Sequence, residues 1–412
     1  MNFKEMEDLQ EKNLNQMLGH LKSDIPYYKK IIEREVFSYE VFSRLPIIDK
    51  KTIQQNFDAM TSRDAERRHP YVNFTGGSTG EPLKVIQDKE HARWGRAVKS
   101  LYDHWSGLEP GDKQLRLWGS ERDVLGIGAS HKQRLVRWLK NEKWVNTFVL
   151  TDILIKDIID WINENNPVQI TSYVDTAYEV AKFANKEEIK INFDGTLLTS
   201  AGTLFPQMEE EIKQAFGCRV FNRYGSREIG DIACSGYESD ALKVFDPVHF
   251  VEVLDENLNP VGVGEFGDIY ITTLKNYSMP LVRYKIGDVG VVHGYNKNGG
   301  VSSFSSIEGR STSVLYDKNK NKVLPAYFIH MFGVVERDFD VDKFQVIQHV
   351  DLSFSINIVK KDDFDGEWYC KVSESIRKIV SLVIGEVDVK INLVEDIPKN
   401  SSGKYQYVVS EC

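Results

Sequence analysis

The sequence predicts an α/β protein: a large N-terminal domain with parallel-sheet βαβ layers plus a strand-rich subdomain, and a small mobile C-terminal α+β domain. Three observations carry this expectation. Between about 150 and 235, short apolar runs alternate with helical stripes, the pattern of right-handed βαβ units on a parallel sheet. From about 244 to 310, strand-like runs are divided by turn residues. Beyond about 311, a polar run over 317–322 precedes a separate strand, strand, helix and strand pattern.

Residues 1 to about 66 read as a helical lead segment, in which Leu14, Met17, Leu18 and Leu21 form an i, i+3, i+4, i+7 packing stripe. Leu154, Ile158, Trp161 and Ile162 mark a second helical face, closed by Pro167. A strand over 168–171 follows, then a helix whose face is Ala177, Val180, Ala181 and Ala184. Next come a strand at 197–200, a helix at 206–216 and a strand at 218–221. Ligands of parallel sheets bind at the carboxyl ends of strands, which directs attention to the loops after Ser200 and Phe221. Later strands are expected at 248–254 and 268–274. The C-terminal unit reads as strands at 344–349, 352–359 and 387–394, with a helix at about 367–382. The boundary falls near Arg310, giving domains 1–310 and 311–412.

Composition narrows the function classes. The 412 residues are 41% hydrophobic and 27% charged, as in a folded globular protein. Apolar runs fall far short of the ~20 residues a membrane helix needs, so no membrane span is expected. The first residues are polar and acidic, without a secretory pattern, and the four cysteines are too scattered for a disulfide framework. Both features lead to the expectation of a cytoplasmic protein. A net charge of −9 argues against a nucleic-acid partner.

Five motifs carry chemistry. Thr75, Gly76, Gly77, Ser78, Thr79 and Gly80, followed by Glu81 and Pro82, suit a loop whose amides and hydroxyls wrap phosphate. It is not a Walker loop, which requires lysine after its last glycine. Asn222, Arg223, Tyr224, Gly225, Ser226, Arg227 and Glu228 follow an expected strand. They supply an aromatic face, a close backbone approach and a carboxylate for a metal, although a helix-start role for Glu228 is also open. Arg283 to Asp288 ends in a Gly-Asp pair whose carboxylate can accept both hydroxyls of a ribose, or is simply part of a turn. Gly309-Arg310 and Lys404, on a Ser/Gly-rich tip, complete the set. Cys234 has no cysteine or histidine at ligand spacing nearby and reads as a buried free thiol.

In this order the motifs resemble the adenylate-forming superfamily of acyl-CoA synthetases, peptide-synthetase adenylation domains and luciferases. The opening Asp24-Ile25-Pro26-Tyr27-Tyr28 and Leu45-Pro46-Ile47-Ile48-Asp49-Lys50 looks like the phenylacetate-CoA ligase branch, which includes capsular-polysaccharide CapK-like proteins. The resemblance implies an AMP-forming ligase that uses ATP and magnesium to convert a small-molecule carboxylate to an acyl-adenylate. The acyl group then passes to the thiol of coenzyme A.

By resemblance, Thr75 to Gly80 hold the β- and γ-phosphates, and Glu228 helps bind magnesium. Ser200, Ala201, Gly202 and Thr203 with Asn222, Arg223 and Tyr224 border the adenine and the acyl group, and Asp288 holds the ribose. Gly225 and Ser226 belong to the same ATP-binding set, Arg310 contacts the nucleotide, and Lys404 bridges the α-phosphate and the carboxylate. Trp118, Gly119, Ser120 and Tyr173 are acyl-pocket candidates. Three positions depart from the family: Thr312 where an aspartate is usual, the polar 317–322 run, and Leu83 between Pro82 and Lys84. The first two open an alternative in which the acceptor is an amine, such as an amino sugar in polysaccharide biosynthesis. A non-catalytic nucleotide-binding relative is the third reading.

Overall fold

The computed structural model describes residues 3–29, 31–32, 38–75, 83–118, 131–147, 150–310, 315–319, 322–323, 328, 332, 335, 339, 341–360, 366–398 and 406–412. A hairpin of β1 (Tyr71–Phe74) and β2 (Lys84–Gln87) stands beside the main sheet. That sheet takes in β3 (Gln114–Leu117), β4 (Glu142–Val145), β5 (Gln169–Tyr173), β6 (Thr196–Ser200) and β7 (Arg219–Ser226). It continues with β8 (Gly230–Ser235), β9 (Leu242–Val244), β10 (His249–Leu254), β11 (Phe266–Thr273), β12 (Tyr284–Tyr295) and β13 (Val301–Arg310). The order is β10-β11-β12-β13-β9-β8-β7-β6-β5-β3-β4, so the βαβ region and the strand-rich region form one sheet of eleven strands.

From β4 to β7 the pairings are parallel; from β7 to β10 they are antiparallel. Helices Asp152–Asn165, Val174–Lys186 and Pro206–Phe216 make the crossovers from β4 to β5, β5 to β6 and β6 to β7. The first starts where Thr151 accepts the Leu154 amide, and the last has proline in its first turn, where no helical donor is lost. Their apolar faces, including Ile158, Ile162, Ala177, Ala181 and Ile212, share a core with Leu115, Ile170 and Leu197. Because β3 lies between β4 and β5, the chain leaves β3 to one side and returns on the other. Their carboxyl ends thus flank a topological switch point.

The lead segment is packed onto the antiparallel half. Leu14, Met17, Leu18 and Leu21 of helix Phe3–Asp24 are buried in the core that holds Phe250, Val253 and Phe304. Polar contacts set its register: Gln10 Nε2 donates to Asp246 Oδ1 at 3.1 Å and to the His249 carbonyl at 3.0 Å, and Asn13 Nδ2 donates to the Pro247 carbonyl. Among the described residues, no helix is long and apolar enough to cross a membrane.

Residues 317–319 lie between β14 (Leu315–Tyr316) and β15 (Lys322–Val323), which pair antiparallel. The C-terminal sheet follows, with β16 (Val341–Gln348), β17 (Phe354–Lys360), β18 (Val389–Val394) and β19 (Val408–Ser410) in the order β18-β17-β16-β19. β19 is too short to leave a period-2 signature, and it pairs parallel with β16. Helix Gly366–Ile384 covers this sheet, and the shared core reaches Val174, Phe205 and Met208 of the large domain.

Asp246 and His249 are buried at the foot of the first helix. Burial pushes the Asp246 carboxyl up to about 7, against the hydrogen bonds from Asn296 and Gln10, and pushes His249 down to about 3. Asp246 therefore contributes stability on the acid side that is lost as pH rises from 3.8 through about 7. His249 contributes stability above 6.5 that is lost as pH falls toward about 3. The two slopes oppose each other. Asp246→Asn removes only the first, so its melting temperature falls more steeply than the wild type's on acidification from about pH 6.5 to 4. Parallel melting curves would remove Asp246 from the titration.

Candidate active site

The second motif does not follow its strand as expected but is part of it. Pairing with β8 extends β7 through Ser226, with Arg223 opposite Cys234 and Ser226 opposite Gly230. Gly225 is required there, since a Cβ would lie 2.7 Å from the Gly230 carbonyl oxygen. Asp288, open to a turn reading, stands inside β12, and Glu228 lies in the β7–β8 turn rather than at a helix start.

These strands converge on one place. Tyr224 Oη donates to Asp288 Oδ2 at 2.8 Å, while the Tyr224 ring meets Phe304 edge-on. Asp288 is paired across the ladder with Arg310, whose side chain lies outside the described residues. One residue before it, Gly309 holds the left-handed conformation (φ +88°), and a Cβ there would lie a tight 3.0 Å from Thr203 Oγ1. The loop of Ala201, Gly202 and Thr203 is thereby set against the end of β13. Ala201 itself holds the left-handed conformation, at φ +67°. Nearby, the Asn222 amide donates to Ser235 Oγ, and Ser226 Oγ accepts the Ile229 amide.

Glu228 is buried, and Tyr284 Oη donates to its Oε1 at 3.3 Å. Gln87 Nε2 donates to the carbonyls of Arg227 and Glu228, and Asn73 Nδ2 also reaches Arg227, tying hairpin β1–β2 to this turn. At the hairpin end the Thr75 amide donates to the Leu83 carbonyl, and the Leu83 amide donates to Thr75 Oγ1. The glycine-rich loop thus springs from a closed base tied to the Glu228 turn. Gly76, Gly77, Ser78, Thr79 and Gly80 lie outside the described residues, as do Gly119, Ser120 and Lys404.

Arg223 projects from the other face of β7. Its Nη1 donates to Asp231 Oδ1 at 2.8 Å and to Tyr102 Oη at 3.1 Å, and Nε and Nη2 both reach Ser200 Oγ. Burial alone would lower the guanidinium pKa, but the Asp231 carboxylate and Tyr102 raise it above its ordinary value. Trp118 and Tyr173, at the ends of β3 and β5, have ring centroids 4.2 Å apart. Sequence reasoning missed Gln87, Tyr102 and Asp231, whose roles depend on long-range packing; Tyr284 lay inside a motif but had no role assigned.

Cys234 is buried, and burial pushes its thiol up to about 12. Among the described residues, no three His, Cys, Asp or Glu side chains converge on a metal position. Magnesium needs less, because it keeps its waters and takes one or two carboxylates beside substrate phosphates. The buried oxygen donor of Glu228 fits that demand.

Residues 315–411 match the CapK C-terminal domain family. Over 98% of its length the chain is 22% identical to protein CapK of Staphylococcus aureus, covering 89% of that protein. It is 21% identical to phenylacetate-coenzyme A ligase of Escherichia coli (strain K12), covering 97% of this chain and 93% of the ligase. The crystal structure of 2-hydroxyisobutyryl-CoA ligase, in the postadenylation state with R3-HIB-AMP, superposes with a TM-score of 0.75 at 16% identity. That match covers 100% of this chain and 90% of the ligase. The architecture is that of an adenylate-forming enzyme. In sequence the chain is similar to CapK and to phenylacetate-CoA ligase over nearly its whole length, and its C-terminal part matches the CapK C-terminal domain family.

The Gly225 contact is testable without knowing the substrate. Gly225→Ala forces the β7 and β8 backbones apart and lowers unfolding stability by about 1–3 kcal/mol in denaturant titration. A loss below ~0.5 kcal/mol would mean that the turn has room for the methyl group.

Proposed function

We propose that the chain condenses a carboxylic acid with ATP to an acyl-adenylate, releasing pyrophosphate, and passes the acyl group to the thiol of coenzyme A. The observation that supports this best is the 2.8 Å hydrogen bond from Tyr224 to Asp288. It joins two motifs into one site bordered by Thr203 and by β13 at Gly309. Asp288 takes the ribose hydroxyls, and the 201–203 loop with Asn222 and Tyr224 borders the adenine.

In the first step a substrate carboxylate oxygen attacks the α-phosphorus and the bond to pyrophosphate breaks. Two anions must approach, so the gain comes from fixed donors and cations that neutralise both. The amides and hydroxyls of the 75–80 loop hold the β- and γ-phosphates, and Lys404 and Arg310 supply positive charge near the α-phosphate. Magnesium, when bound, neutralises phosphate charge, with Glu228 as its protein ligand. In the second step the thiolate attacks the acyl carbon and AMP leaves.

An amine acceptor is the second reading, with an amino sugar of polysaccharide assembly as the example. The polar 317–322 run that follows β14, one of the departures that open this alternative, favours it. Pyrophosphate release over aryl, aliphatic, hydroxy and amino acids, with hydroxylamine as acceptor, tests adenylation whatever the natural acceptor. Adding coenzyme A then separates the two readings. Lys404→Ala lowers that release by ~10²-fold or more with unfolding unchanged, and Asp288→Asn raises KM for ATP by about tenfold or more. Unchanged release in the lysine variant would remove Lys404 from the mechanism.

A further inference from the structure

We propose that the acid carries a hydroxyl group, recognised by the Arg223–Asp231 ion pair beside the aromatic pair of Trp118 and Tyr173. This rests on the adenylation reading above. Side chains alternate across a strand, so β7 presents Tyr224 to Asp288 on one face and Arg223 on the other. The Arg223 guanidinium carbon is 6.0 Å from the Trp118 ring centroid. Ser200, Tyr173 and Trp118 stand at the carboxyl ends of β6, β5 and β3, and Arg223 lies opposite Ser200, where the parallel pairing of β7 ends, around the switch point where sheets of this kind take ligands.

The pair is partly accessible: its side chains are 18% and 20% exposed, whereas Ser200 and Tyr102 are buried. A guanidinium has five N–H donors. Arg223 uses one on Asp231, one on Tyr102 and two on Ser200, which leaves one N–H. Asp231 binds Arg223 through Oδ1, and its Oδ2 accepts no side chain among the described residues. A substrate bound here would therefore meet one donor and one acceptor of the same ion pair.

The pair is neutral as a whole, so a second carboxylate gains from Arg223 what it loses to Asp231, and an ammonium the reverse, with no net gain for either charge. A bare alkyl or phenyl group would strip water from both charges without replacing its hydrogen bonds, which is unfavourable. A hydroxyl accepts from Arg223 and donates to Asp231 at once.

Acids that share a carbon skeleton and carry hydrogen, hydroxyl, amino or a second carboxylate are compared by kcat/KM for pyrophosphate release with hydroxylamine. The hydroxyl member should exceed the unsubstituted one by ~10-fold or more, since a site built to bond a hydroxyl rejects its absence. Replacing Arg223→Met together with Asp231→Leu leaves neither charge buried alone and should bring the ratio within about twofold. Asp231→Asn, which keeps the side chain's size and leaves the guanidinium uncompensated, should instead shift preference toward the dicarboxylic member. Turnover with an unsubstituted, amino or dicarboxylic preference in the wild type overturns the proposal, as does an unshifted preference in folded Asp231→Asn. No release with any acid while ATP still binds overturns the adenylation reading itself, and this inference with it.

Discussion

The buried ion pair between Arg283 and Glu252 is the constraint on which the site depends. Both side chains are almost wholly excluded from water, and the guanidinium meets the carboxylate through two bonds of 2.9 and 3.0 Å. Its remaining donors reach the carbonyls of Ser43 and Leu45, so the pair also captures the lead segment. Two isolated charges in such a place would be strongly destabilising, and removing one partner of a buried pair costs about 3–5 kcal/mol. The arrangement therefore specifies one geometry. Arg283 sits in the left-handed region at φ +50°, and the Ile48 backbone bonds to both Arg283 and Lys285. From there β12 runs on to Tyr284, which holds Glu228, and to Asp288, which meets Tyr224.

One sheet carries both sides of the candidate site. Its parallel half ends in loops at the switch point, and its antiparallel half carries Asp288. β7 is the strand where they meet, parallel to β6 and antiparallel to β8. A strand presents alternate residues to opposite faces, so adjacent residues of one motif reach different partners. Tyr224 meets Asp288 on one face, while Arg223 lies on the face beneath helix Lys89–Trp105, where Tyr102 meets it.

Much of the fold was legible because local periodicity reports burial directly. The stripe of Leu14, Met17, Leu18 and Leu21 is buried as its spacing implies, and the helix at 206–216 has the expected bounds. The motifs around Thr75, Tyr224 and Asp288 were legible from their glycines, hydroxyls and carboxylates. What stayed hidden had no local signature. β19 spans three residues, and the extension of β7 through Ser226 depends on a partner strand. Asp231 is an ordinary carboxylate until the β7–β8 hairpin brings it to Arg223.

By itself, then, the sequence determined the α/β class, the crossover helices and the residue types from which an adenylation site is made. These are properties of short windows, set by side-chain period and by the backbone freedom of glycine. Only the tertiary structure decided that Tyr224 bonds Asp288, that Tyr284 holds Glu228, and that Arg223 is neutralised by Asp231. The reason is physical. Such pairs form between distant segments to satisfy charges and donors withdrawn from water, and that demand arises only once the sheet has closed around them.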